Sequence, residues 1–180
     1  MKQLVIIFIF FVLMNINANG QRDQENTYYP SEYLNKFVGD WIWYSGSDTV
    51  RLQFKKVALN IPDVNNSYWE NLIGCHKYVK NGVIIESSLA DYDSLQYYNY
   101  NNIGTIILFS LNYGDTSHVG GTLSDRSKNK GNQIDLTYLG GSPVQIRMKL
   151  SAKPGATVSL PGNPYIDGIT LPVDIILFKQ

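Results

Sequence analysis

Two histidines, His76 and His118, are the side chains of this chain most suited to holding a metal, with Asp115 and Glu70 as carboxylates that could join them. Nothing in their spacing requires such a site. Cys75 and His76 are neighbours, and neighbours on a strand point to opposite faces; a histidine in the core or on the surface is the commoner outcome. Asp91 and Asp93, followed by Asn99, Asn101 and Asn102, offer oxygens that calcium accepts, but without the residue order of a calcium loop. A solvated loop is expected there. Glu70 and Glu86 could lie on neighbouring strands as a carboxylate pair, although exposed glutamates are ordinary on hairpins. No Gly-x-Ser-x-Gly turn and no motif-placed Cys–His pair marks a nucleophile. Gly120-Gly121 and Gly140-Gly141 lack a following helix that would aim amides at a phosphate, so they read as turns or bulges. The inventory predicts no metal, no cofactor and no enzyme.

Those residues must be positioned by one domain. Residues 1–20 read as an export signal: Lys2 supplies the positive charge, Leu4 to Met14 the apolar core, and Ala18-Asn19-Gly20 the small residues of a cleavage site. Eleven apolar residues are too few to span a bilayer, which takes about 20. The mature chain is expected to begin near Gln21 and to be a soluble periplasmic or secreted protein with no membrane span. Removal of the leader leaves 14 basic against 15 acidic residues. Such balance argues against a nucleic-acid partner. Cys75 is the only cysteine, so no internal disulfide is available, and the domain must rest on its apolar core. A small buried residue is the plainer reading of Cys75, a reactive thiol the sharper one.

The apolar period is two. Residues 21–36 read as a polar N-terminal arm, with a short helical turn capped by Ser31 at its end, and residues 37–180 as the domain. From Val38 onward, Trp41 and Trp43 alternate with Ile42 and Tyr44, and Val50, Leu52 and Phe54 with Arg51, Gln53 and Lys55. Asn81-Gly82 marks a two-residue hairpin with a type I′ turn. Asn60 to Ser67, Ala90 to Asn102, Ser124 to Gln133 and Ala152 to Pro172 read as connections, and Val173 to Lys179 as a strand buried between neighbours. The count is eight or nine strands with little helix. The predicted fold is all-β: a single antiparallel up-and-down β-barrel in which the last strand meets the first.

Phe37-Val38-Gly39-Asp40-Trp41 resembles the first-strand signature of lipocalins and fatty-acid-binding proteins. The resemblance implies that Gly39 and Trp41 sit at the closed end of the barrel, with a basic residue late in the chain against the indole. Arg147 is the counterpart by position and Arg126 the second choice. The helical lid of fatty-acid-binding proteins and the long final helix of many lipocalins are missing from the pattern. The leader, the same opening, the Gly74 to Gly82 hairpin and the Leu171 to Gln180 ending also resemble a family of exported bacterial proteins of unknown function, which implies barrel and export but no activity.

Within such a barrel the inward residues would be Trp43, Leu52, Phe54, Tyr138, Ile146 and Met148. A barrel of about eight strands holds either a packed core or one small apolar cavity. The first alternative leaves the surface to do the work, as an inhibitor or protein-interaction module, with the Tyr92, Tyr97, Tyr98 and Tyr100 cluster as a docking face. The second makes the protein an exported carrier of an apolar or amphipathic small molecule, and is the leading expectation.

Overall fold

The computed structural model describes residues 27–61, 67–95, 104–109, 115–153 and 166–180. Ten strands follow in chain order: β1 Tyr28–Tyr29, β2 Gly39–Ser45, β3 Asp48–Ile61, β4 Ser67–Lys80, β5 Val83–Ser87, β6 Ile106–Phe109, β7 His118–Asp125, β8 Lys130–Gly140, β9 Gln145–Ala152 and β10 Asp174–Lys179. Two short 3-10 turns, Glu32–Lys36 and Leu89–Asp91, are the only helical segments among the described residues.

Eight strands close a barrel in the order β2-β3-β4-β6-β7-β8-β9-β10. The seam is antiparallel: Phe178 of β10 pairs with Ile42 of β2, and Lys179 with Trp41. Closure leaves the barrel ring without a free edge. β1 and β5 stand outside it, both on β4. At Asn81-Gly82 both residues take positive φ, 51° and 77°, as a type I′ turn requires. Asn81 accepts this because its short side chain tolerates the left-handed region.

Two connections are shorter than their polarity suggests. β3 runs on through Ile61 and β4 begins at Ser67, so only residues 62–66 separate them, and those lie outside the described residues. β7 and β8 extend through Asp125 and from Lys130, which reduces the Ser124 to Gln133 connection to four residues with Asn129 at φ 52°. Hydrogen-bond ladders carry polar residues here because one face of each strand is wet. The N-terminal arm, in its described part, is not loose. β1 pairs in parallel with Tyr68 and Trp69, Tyr29 stacks on Trp69 at 4.5 Å, and the 3-10 turn buries Leu34 in the core.

Cross-strand partners share a face, so the ladder identifies the interior. Trp41 faces Leu52, and Leu52 faces His76; Gly39 faces Phe54, and Phe54 faces Gly74; Tyr138 faces Ile146. These inward side chains form one apolar cluster with Leu34 and Phe37, which close the base of the barrel beneath Trp41. The Trp41 indole N–H donates to Phe37 O at 2.7 Å. Gly74 has no side chain because Phe54 takes its place: a Cβ there would meet Phe54 Cδ1 at 2.6 Å and Gln53 O at 2.5 Å. Val57, Ile73, Cys75 and Leu95 make a second, smaller cluster on the outer face. The final strand is less buried than its composition implies: Ile175 and Leu177 point in, while Ile176 is exposed.

Candidate functional site: the polar mouth of the barrel

The pairing directions set the two ends. β2, β4, β7 and β9 run toward the end that carries the 46–47 and 81–82 turns, the 126–129 turn and the connection into β10. That end is the mouth, and buried polar side chains, His76, Glu86, Ser88, Thr105 and Asp125, gather there.

The cause lies in β4, whose far edge changes partner along its length. Residues 72–74 pair with β6 and residues 77–80 with β5. Between them the edge is bridged by side chains and single bonds: Thr105 N–H donates to Gly74 O at 3.0 Å, Ser88 N–H to His76 O at 2.8 Å, and His76 N–H to Ser88 Oγ at 2.9 Å. His76 points inward there. Its Nδ1 lies 2.7 Å from Thr105 Oγ1 and its Nε2 2.5 Å from Glu86 Oε1, while Ser88 Oγ lies 2.8 Å from Thr105 Oγ1. Ser127, from the 126–129 turn, donates its N–H and its hydroxyl to Glu86 Oε2 at 3.0 and 2.7 Å. Burial alone would raise the Glu86 pKa and is the largest single influence. The hydrogen bonds from His76 and Ser127 together outweigh it and hold the carboxyl below its usual value.

Hydroxyl, imidazole and carboxylate in a row are the parts of a nucleophilic relay. Here they are buried and spend their bonds on one another, so the arrangement joins β4, β5, the approach to β6 and the β7–β8 turn.

Beside it the mouth is covered by residues 166–172, which lead into β10. Asp125, buried at the end of β7, accepts Thr170 N–H and Thr170 Oγ1–H, both at 2.9 Å, and Lys128 N–H at 3.0 Å. Lys128 Nζ donates to Asp167 O at 2.9 Å, and Gly168 takes φ 82°. Leu171 buries in the main cluster and Ile169 packs against it. The segment therefore crosses from β10 to the β7–β8 turn.

On the same side of the barrel lies Asn132. It pairs with Leu123 and Ala152 on the inward row of β8 that continues through Ile134 and Leu136. It is wholly buried, and neither Oδ1 nor Nδ2 has a hydrogen-bond partner. The Leu150 N–H bond to Val173 O extends the β9–β10 register and brings Leu171 toward Ala152, the cross-strand neighbour of Asn132.

Of the residues expected to line a ligand, Leu52, Phe54, Ile146 and Met148 are fully buried in the main cluster, and Trp43 and Tyr138 pack half-buried against it. Gly39 and Trp41 stand at the start of β2, where Trp41 pairs with Lys179 across the seam. The basic residue against the indole is Lys179, its Nζ 5.4 Å from the Trp41 ring, not Arg147. Arg147 lies between Ile146 and Met148, both inward, so it must point out, where it makes a bidentate pair with Asp174 at 2.7 Å. Arg126 pairs with Asp91 on the surface at 2.7 Å.

The histidines are not brought together. His118 begins β7 at the base, exposed, with Asp115 2.7 Å from its Nδ1; hydrogen bonds from Ser117, then His118, hold the Asp115 pKa down to about 2. Nor are Glu70 and Glu86 paired. Glu70 takes Ser31 N–H at 2.7 Å, Lys56 Nζ at 2.9 Å and the Tyr28 hydroxyl, and so fastens the arm. Asp93 is exposed and Tyr92 donates to Phe54 O; Tyr97, Tyr98, Asn99, Tyr100, Asn101 and Asn102 lie outside the described residues. Cys75 is buried on the outer face, its thiol pKa raised by that burial. Gly120 and Gly121 lie within β7 rather than at a turn, where Gly121 lets Ile107 O approach. Thr105, Asp125, Asn132 and Thr170 had no motif to announce them. For Asn132 and Asp125 the signal was phase: each stands where the alternation demands an apolar side chain.

The sequence matches, over residues 1–180, the family described as Family of unknown function (DUF6705). The chain belongs to that family. No curated protein and no solved structure matches it. Among its described residues this DUF6705 member has no group of three or more metal-ligating side chains, and no helix long and apolar enough to cross a membrane.

Proposed function

We propose that this DUF6705 protein is an exported, non-catalytic binding barrel that takes the apolar end of an amphipathic small molecule into its mouth, beneath residues 166–172. The observation that carries this is the Asn132 amide, wholly buried with both polar atoms unpartnered. A buried amide left without bonds costs about 1–3 kcal/mol, and an apolar side chain of the same size would avoid that cost. A ligand that offers a donor and an acceptor supplies the missing bonds. Room comes from Leu171 and Ile169, which fill the mouth from a segment that is not part of the barrel ladder.

Asn132→Leu tests it. The variant is expected to be more stable than the parent by about 1 kcal/mol, because the orphan amide is gone. It is also expected to lose binding to a panel of fatty acids, fatty amides and N-acyl amino acids, followed by tryptophan emission and ligand-observed NMR. Equal binding by parent and variant, or no binding by the parent, overturns the reading.

A second reading rests on β5. Val83 and Ile84 are 62 % and 57 % exposed and Ile85 follows them, while among the described residues β5 pairs only with β4. Ile84 continues an outer row through Val79, Thr49 and Tyr44. An exposed apolar edge is a template for a further strand. Antiparallel pairing about Ile84 sets Val83 of one copy against Ile85 of another, so the matching partner is a second copy of the chain. Sedimentation of the parent is expected to show a dimer that Ile84→Lys returns to monomer; a parent monomeric at all concentrations rejects this.

A further inference from the structure

We infer that residues 169–172 are a built-in pseudo-ligand, and that the class of molecule the mouth takes is a short extended peptide carrying a hydroxyl residue followed by an aliphatic one. The inference rests on the mouth being a binding site, and adds the ligand class and the way the site is kept shut.

The segment is held as a bound peptide is held. Its backbone N–H and hydroxyl at Thr170 meet the two oxygens of one buried carboxylate, Asp125, and the next side chain, Leu171, enters the apolar cluster. Polar orientation by a few groups beside an apolar pocket is the ordinary construction of a small-molecule site. Displacing the segment frees Asp125 to accept from an incoming N–H and O–H and uncovers the space of Leu171. Asn132, two residues beyond Lys130 on β8, offers a donor and an acceptor that no described residue uses. A peptide whose chain passes nearer β8 could use those two bonds, an advantage over the built-in occupant. Pro172 ends the segment without a backbone donor, so nothing commits it to the ladder before Val173.

The probe is the acetylated, amidated peptide Ile-Thr-Leu-Pro-Val, with its Ala-Val-Ala-Pro-Val counterpart as control, titrated by NMR into the full mature chain. If the segment competes, apparent affinity scales with the fraction of molecules in which it is lifted, so Thr170→Val with Leu171→Ala should bind the probe about tenfold more tightly than the parent. Thr170→Val alone keeps Leu171 and is expected to gain about threefold, which secures the test if the double variant does not fold. Equal affinity in parent and both variants, or equal affinity for the control peptide, overturns the inference. If the amphiphile panel binds and the peptide does not, the ligand class falls while the binding reading stands; if neither binds, both fall.

Discussion

Trp41→Ala is expected to lower the unfolding free energy by about 3–5 kcal/mol, the range for removing a fully buried tryptophan. Three losses fall together. The indole is a large part of the base of the core, it donates to Phe37 O and so fixes the turn that plugs the barrel, and it lies under Lys179 at the strand pair that closes the ring. A domain of this size is stabilised by about 5–15 kcal/mol in total, so the variant sits near the threshold of folding at ambient temperature. Trp41→Phe separates the contributions: it keeps most of the apolar contact and leaves Phe37 O without its donor, at a cost of about 1–3 kcal/mol. Urea unfolding followed by far-UV circular dichroism measures both. A Trp41→Ala midpoint within error of the parent would show that the seam between β10 and β2 does not depend on the indole.

The barrel was legible because its strands alternate. One wet and one dry face per strand gives the period of two, Asn81-Gly82 fixes a register, and the Gly39 to Trp41 opening points to the base. The mouth was not legible, and the reason is physical. Its polar groups come from five separate places: the change of partner along β4 brings residues 76, 86–88 and 105 into contact, and the end of β7 carries Ser127 to Glu86 and Asp125 to Thr170. Hydrogen-bonded clusters of that kind have no spacing rule, because each bond spans a different loop. Arg147 shows the opposite case. The alternation that set Ile146 and Met148 inward already required Arg147 to face out, and the expectation drawn from likeness to other barrels ran against it. Lys179 reaches the indole instead because it is the residue paired with Trp41 across the seam.

Glu86→Ala is expected to cost about 1–3 kcal/mol, the range for leaving a buried hydrogen-bonding group without its partner. The alanine leaves the buried His76 Nε2 without its carboxylate partner, while the Ser127 N–H and hydroxyl, on an exposed turn, pass to water. Glu86→Gln, which keeps an acceptor of the same shape but not the charge, should lose less than Glu86→Ala. The pH dependence distinguishes charge from shape. Because the folded pKa of Glu86 lies below its ordinary value of about 4.5, the ionised carboxylate stabilises the fold, fully so above that value, and the stabilisation is lost as pH falls through the folded pKa. Glu70, Asp115 and Asp174 have lowered values too, and so the parent alone would show a composite acid slope. The difference between parent and Glu86→Gln isolates this one group: it should be constant above the ordinary value of about 4.5 and shrink as pH falls through the folded pKa. A difference that stays constant into acid would mean that the mouth is held by the shape of its hydrogen bonds and owes nothing to the charge on Glu86.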